Sequence, residues 1–371
     1  MNCRRRLGEL SRSYGIMWGM NMLIFIAAAI VAQPLVDADV LEPSVQNEVD
    51  HALSRAPTNE VALSAESVAF AALWATNGAS ATDRAIALVS SQRSDGRWLH
   101  GGKDVTPAAA RILRRAAGYP EPPLRLSIFS NHIEDIARQE RIPFSEAAAK
   151  VRAMGVEGIA VSYGLSAENL AEARRQGFAV SCVIGWPGFD KGYDEGLCSE
   201  FVSLAVSNGC RQVMLVPGFY PSEKEDPALF ADMTRRTARF AEMAAAHGVE
   251  TLVEDFDNEK SPTCGLARTK AFLDAVPSVG FVYDTGNFNS PGERPENGLA
   301  LLARVRHFHL KDRPKCDARG FSAVGAGSVP IAKIVSRALD AGYGGWFTIE
   351  HFGATNMLEC AAASARYLRG E

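Results

Sequence analysis

The chain has 371 residues, 47% of them hydrophobic, with a formal net charge of −4 and a pI of about 6.0. That is enough for one large domain plus an extension, and the acidic balance excludes a phosphate-backbone partner such as nucleic acid. Seven cysteines, odd in number and with no CxxC pair, fit neither a disulfide framework nor a structural zinc site, and read as small buried apolar residues.

The N-terminus begins with Arg4, Arg5 and Arg6, followed by an apolar run from Ile16 to Val36 broken by Asn21 and Pro34. A basic start before an apolar centre has the form of a secretory signal or membrane anchor, so residues 1–36 are expected to export or attach the protein. If translation starts instead at Met17, Met20 or Met22, the protein is cytoplasmic. Residues 37–60 are polar and mixed and read as a linker. Residues 61–119 are alanine-rich with helical spacing (Val68, Ala71, Ala72, Ala75), which predicts a small helical appendage. Within it, Gln92, Asp95, Gly96 and Trp98 form a Q-x-x-D-G-x-W pattern resembling one repeat of the terpenoid-cyclase type. A lone repeat cannot build that toroid, because each repeat needs neighbours to bury its face. Pro120, Pro122 and Pro123 then mark a boundary.

From Leu124 the pattern becomes alternating strand and helix. Short apolar runs predict strands at Leu124–Phe129, Gly158–Ser162, Ala179–Ile184, Gln212–Val216, Thr251–Asp255, Val279–Asp284, Val305–Leu310 and Gly345–Glu350. Helices are expected between them, for example at Ser145–Met154, Ala228–His247 and Pro330–Ala341. Five glycines, Gly155, Gly177, Gly209, Gly248 and Gly342, stand where a helix must turn back toward the sheet. Eight such units over residues 124–371 predict an α/β fold, a (β/α)8 TIM barrel. An open doubly wound sheet is the alternative, but the first strand is followed by SIFSNHIED, with no glycine-rich phosphate loop.

Four of the last strands close on a metal-binding side chain: Glu254, Asp284, His309 and Glu350. Parallel strands in a closed barrel bring their C-terminal ends to one mouth, so these residues are expected to converge. Two glutamates, an aspartate and a histidine suit one divalent ion, Mn2+ first, with Mg2+, Co2+ or Zn2+ as alternatives. Such an ion leaves positions for two neighbouring oxygens of a sugar or hydroxyketone and stabilises an enediolate.

The stretches LVEDF, VYDTGN, HFHLKD, GFSAVGAGSVP and GYGGWFTIE together resemble the xylose isomerase-like barrel family of sugar phosphate isomerases and epimerases, which includes inosose dehydratases, tagatose-type epimerases and endonuclease IV. The resemblance covers about Leu124 to Gly370. It implies that Glu254, Asp284, His309 and Glu350 hold the metal. It also implies that Glu254 and Glu350 are the acid/base pair on opposite sides of the substrate carbon. Two positions depart from the pattern. Asn287 stands where the family often has histidine, and the second strand offers Ala160 and Tyr163 where a glutamate is common.

Further expectations attach to neighbouring residues. His132 is expected to hydrogen-bond a sugar hydroxyl, Trp186 to cover the apolar face of a sugar ring, Asn287 to donate to substrate, and Lys311 to pair with a substrate oxyanion or phosphate. Asp312 reads as a helix cap, and His307 and His351 as packed against helices. The leading function is a metal-dependent isomerase or epimerase of a small carbohydrate, in a protein suited to homo-oligomer formation and without a nucleic-acid partner. A lyase of the inosose dehydratase type uses the same chemistry, and a non-catalytic envelope-associated binding barrel is the alternative of another class.

Overall fold

The computed structural model describes residues 41, 43–57, 63–76, 81–120, 123–288, 293–314 and 321–371. The apolar segment at 16–36 lies outside them, and among the described residues no helix is long and apolar enough to cross a membrane.

Eight parallel strands close into a barrel: β3 Arg125–Phe129, β4 Gly158–Ser162, β5 Ala179–Gly185, β6 Gln212–Leu215, β7 Glu250–Glu254, β8 Gly280–Asp284, β9 Val305–Lys311 and β10 Trp346–Glu350. Each lies within one residue of the run read from sequence. The seam pairs the last strand with the first, Thr348 standing opposite Ser127 on one side and His309 on the other. Helices α5 Ser130–Glu140, α6 Phe144–Ala153, α7 Ala167–Arg175, α8 Glu195–Ser207, α9 Pro227–Ala246, α10 Gly265–Ala275, α11 Ile331–Asp340 and α12 Met357–Arg369, with a 3-10 helix at Pro295–Arg304, surround it. Burial on both faces explains why the strands read as continuous apolar runs. Outward residues such as Ile128, Val213 and Phe281 pack under the helices. Inward ones (Phe129, Ala160, Cys182, Ile184, Met214, Val216, Leu252, Val282) form a separate layer inside the cylinder. The five helix-ending glycines all take the left-handed conformation, φ +67° to +91°.

The interior also holds a polar group. His307 Nε2 is 2.6 Å from Thr348 Oγ1 and its Nδ1 is 3.0 Å from Gln212 Oε1, while Ser127 bonds Thr348 in turn. This corrects the expectation for His307. Residues i and i+2 of a strand share a face, so His307 points inward beneath His309 rather than toward the helices. His351, one step past Glu350, does face outward, and its Nε2 is 2.9 Å from Ser364 Oγ of α12.

The appendage holds α1 Pro43–Arg55, α2 Ala65–Thr76, α3 Ala81–Ser91, the short hairpin β1 Leu99–His100 and β2 Lys103–Asp104, and α4 Thr106–Ala116. Helix α1 falls within the segment read as a linker. Leu41, Val45, Val49 and Ala52 recur on one face and are buried with Phe70, Leu88, Trp98 and Leu113 in a core of their own. The Q-x-x-D-G-x-W pattern staples this unit. Trp98 is buried and its Nε1–H donates to Leu88 O at 2.7 Å, while Gln92 Nε2 donates to Ala52 O and Gly96 O, both at 2.8 Å. The unit docks on the side of the barrel near the strand starts. Arg115 NH1 lies 2.6 Å from Asp340 Oδ1 at the end of α11, and Arg306 donates to Leu63 O at 3.2 Å.

Candidate active site and metal centre

Glu254, Asp284 and Glu350 are the last residues of β7, β8 and β10, and His309 lies two short of the end of β9. Each stands two residues beyond an inward side chain (Leu252, Val282, Thr348 and His307), so alternation turns all four into the mouth. One donor atom from each lies within 4.8 Å of all the others, and all four residues are buried. His309 Nδ1 stands between the two glutamates, 2.5 Å from Glu254 Oε1 and 3.4 Å from Glu350 Oε2. Its Nε2 has no protein partner among the described residues.

Lys311, two residues beyond His309, reaches into the same cluster. Its Nζ is 2.7 Å from Asp284 Oδ2, 2.6 Å from Glu350 Oε1 and 2.9 Å from Asn287 Oδ1. Burial opposes its charge, but Asp284, Glu350 and Glu254 outweigh that and hold its pKa above the ordinary lysine range. Burial pushes Glu254 well above the usual carboxylate range, with the Asp284 charge adding to it. Burial likewise raises Glu350 to about 8. Asp284 and Glu254 reinforce the shift, against the opposing charges of Lys311 and His309. Burial lowers His309, with Glu350 and Asp284 pulling it partly back.

With all three acids ionised, one ammonium would face three carboxylates, and two further positive charges would be needed for neutrality. A divalent ion fits that deficit and the hard oxygen-rich donor set. Donors around one ion at about 2.1 Å stand roughly 3–4 Å apart, a spacing this cluster reaches with small side-chain movements. Glu254, Asp284, His309 and Glu350 are the residues that would hold it.

The supporting residues were only partly foreseen. Asp255 Oδ1 accepts the Asp284 N–H at 2.8 Å, and Asp284 Oδ1 accepts the Gly286 N–H at 2.7 Å, which fixes the Asp284 carboxylate. Asn287 is buried; its Nδ2 donates to Asp255 O at 2.7 Å and its Oδ1 accepts from Lys311. The amide from which a hydrogen bond to substrate is expected is thus engaged by Asp255 and Lys311. His132 is also fully buried. Its Nε2 accepts the His351 N–H at 2.7 Å, its ring lies edge-on to Phe352 at 4.7 Å, and its Nδ1 has no protein partner among the described residues. Trp186, by contrast, stands at the rim, 52% exposed, beside Phe219 and Phe256.

Asp312 does more than cap a helix. Its Oδ2 accepts the N–H groups of Gly325 and Gly327, both at 2.9 Å, and its Oδ1 those of Arg313 at 2.8 Å and Val329 at 3.0 Å. One buried carboxylate thus pins the whole glycine-rich loop that leads into α11. The neighbouring Arg313 bridges the mouth, donating to Gly286 O at 2.9 Å and pairing with Asp257 at 2.6 Å. The signal for both lay in the HLKDR run itself.

Residues 148–370 match the family model described as xylose isomerase-like TIM barrel. The chain belongs to this family. A Streptomyces coelicolor protein named as a hydroxypyruvate isomerase is 28% identical over 146 residues, 37% of this chain. The chain spans about half the length of that curated relative, 49%. Among solved structures, the barrel resembles AsbF of Bacillus anthracis, described as a 3-DHS dehydratase of petrobactin synthesis. The TM-score is 0.54 at 17% identity, over 66% of this chain and 98% of that one. It also resembles an L-ribulose 3-epimerase, with a TM-score of 0.51 at 18% identity over 65% of this chain and 92% of the other. At these identities the two structures speak for the fold. The family's xylose isomerase-like barrel is the part that they share with this chain, and the appendage lies outside the matched residues.

Proposed function

We propose that this protein is a metal-dependent isomerase or epimerase of a small hydroxycarbonyl compound of the carbohydrate kind, with Glu254 and Glu350 as the proton-transferring pair. The observation that carries this reading is the convergence of those two buried carboxylates on one atom, His309 Nδ1, 2.5 Å and 3.4 Å away, at the mouth of the barrel. When bound, a divalent ion held by Glu254, Asp284, His309 and Glu350 polarises the substrate carbonyl and makes the neighbouring C–H acidic.

The rest is done by the chain. One glutamate, ionised, takes the proton from the carbon beside the carbonyl as the C–H pair moves toward the carbonyl oxygen. The other, protonated, returns a proton to the opposite face of that carbon, which inverts it, or to the former carbonyl carbon, which moves the carbonyl as the hydroxyl proton on the first carbon passes to the enediolate oxygen. Lys311 places a fixed positive charge beside the developing oxyanion. Asn287 and Asp255 hold Lys311 and Asp284 in position.

A second reading is a lyase. In it the protonated member of the Glu254–Glu350 pair gives its proton to a departing β-hydroxyl, which leaves as water. Product analysis separates the two, because elimination yields an enone that absorbs in the ultraviolet and epimerisation does not. For either chemistry the test is Glu350→Gln in the Mn2+-loaded protein, assayed for solvent deuterium entering the α-carbon of a panel of ketoses, hydroxypyruvate and inososes. The variant is expected to fold and to lose exchange by at least about a hundredfold. Wild-type exchange in the variant refutes the assignment.

A further inference from the structure

We infer that the substrate of this site carries an apolar ring or alkyl group at its non-reacting end, rather than a row of hydroxyls. The inference rests on the proposed function for where the reacting carbon sits, and on the side chains of the mouth for everything else.

The acids, His309 and Lys311 all come from β7 to β10, one side of the cylinder. A substrate whose reacting carbon lies between Glu254 and Glu350 must extend its remainder toward β3, β4, β5 and β6. Along that arc the outermost inward side chains of the inner apolar layer are Phe129, Ala160, Ile184 and Val216. One step further out, alternation presents Ser162 and Trp186, with Phe219 packed beside them against the same layer.

The two ends of the arc are aromatic as well. Trp186, Phe219 and Phe256 form a triangle with ring centroids 5.6–6.1 Å apart. Phe129 and Phe352 stand 5.0 Å apart at the other end, and Phe129 meets the His309 ring edge-on at 4.8 Å. Apolar surface thus runs directly up to a residue of the reacting centre.

Two of these rings are not buried: Trp186 is 52% and Phe352 is 49% exposed. Large aromatics left open at a concave mouth gain most when a ligand covers them. Aromatic rings also stack on the C–H faces of sugars, so the rings alone do not decide the class. The hydroxyl partners do. Each polyol hydroxyl taken out of water needs a donor or acceptor to replace it, at a cost of about 1–3 kcal/mol if none is found. Among the inward positions just named on β3 to β6, only Ser162 offers one.

The experiment compares two probes with the same six-membered ring: 2-hydroxycyclohexanone and an inosose, which carries hydroxyls on the remaining carbons. Both are titrated calorimetrically into the full-length, Mn2+-loaded protein, with Trp186→Ala and Phe352→Ala as variants. The expected result is that 2-hydroxycyclohexanone binds at least about tenfold more tightly than the inosose. Each variant is expected to weaken it about three- to tenfold, with Mn2+ binding unchanged. Both substituted side chains are half exposed, so the barrel is expected to survive their loss. Tighter binding of the inosose, no binding of either probe, or indifference to both variants overturns the inference. Solvent exchange is read in the same samples. A ring probe that binds selectively but takes up no deuterium overturns the acid/base reading alone and leaves the specificity standing.

Discussion

Asp312→Asn changes one atom and should nonetheless be among the most damaging substitutions in the barrel. The carboxylate accepts four backbone N–H groups, two on each oxygen, at 2.8–3.0 Å, and is buried. Asparagine replaces one oxygen by NH2. Whichever way the amide turns, two N–H groups lose their acceptor and face two new donors. A hydrogen bond to a charged group contributes about 1.5–3 kcal/mol, so two of them amount to roughly 3–6 kcal/mol. The pair that remains weakens as well, because its acceptor is now neutral. Against a total stability of about 5–15 kcal/mol this is a large fraction. In urea, with a slope of about 3 kcal/mol per molar, the unfolding midpoint should fall by about 1–2 M with the slope unchanged. A shift below about 0.3 M would show that the loop from Ser322 to Val329 does not depend on this carboxylate.

Three further substitutions probe other parts of the molecule. Lys311→Met removes the ammonium that bridges Asp284 and Glu350, which should destabilise the metal-free protein by about 3–5 kcal/mol. It should also increase the rise in melting temperature on adding Mn2+, since a repelling charge has gone; equal increments in variant and wild type would contradict this. His132 is held well below its ordinary pKa, first by burial and then by the charge of His351, so the folded state keeps it neutral while the unfolded state takes up a proton below about pH 6.5. The stability this group supports is therefore present above pH 6.5 and lost as pH falls, by about 1 kcal/mol between pH 6.5 and 5.5. His132→Gln, which keeps an acceptor for the His351 N–H, should lose that much less over the same interval in denaturant titrations, and a parallel pH dependence would rule it out. Trp98→Phe leaves Leu88 O without its donor, which should loosen the appendage by about 1–3 kcal/mol and admit protease between α3 and α4 while the barrel stays intact. Unchanged cleavage would show that the tryptophan N–H is dispensable.

The strands of the barrel were legible because they are buried on both faces, so each reads as an uninterrupted apolar run, and because glycine punctuates the helices before them. The three acids and the imidazole were legible because each stands at or within one residue of the end of such a run. What failed was whatever depended on partners distant in sequence. Helix α1 looked like a linker because its few apolar residues are spaced singly among polar ones; their burial depends on Leu88, Trp98 and Leu113, far along the chain. The Asn287 amide donates to Asp255 O and the His132 ring accepts the His351 N–H, contacts invisible in the sequence because only the folded barrel creates them. His307 was misread by applying the one-residue alternation to a two-residue step. The aromatic mouth was half visible, in Trp186, but Phe256 and Phe352 lie two residues past Glu254 and Glu350, and the same parity that identifies the acids identifies them.

The seam between β10 and β3 has a consequence for biosynthesis. Ser127 and Thr348, joined across it, are 221 residues apart. While residues before Trp346 are emerging from the ribosome, Glu254, Asp284 and His309 are already made, yet the cylinder has a gap and the edges of β3 and β9 carry unpaired backbone groups. Insertion of β10 closes both edges and delivers Glu350 in one event. A nascent chain is therefore adhesive to its neighbours and poor at capturing an ion for the same reason, and translation of the final strand ends both conditions together.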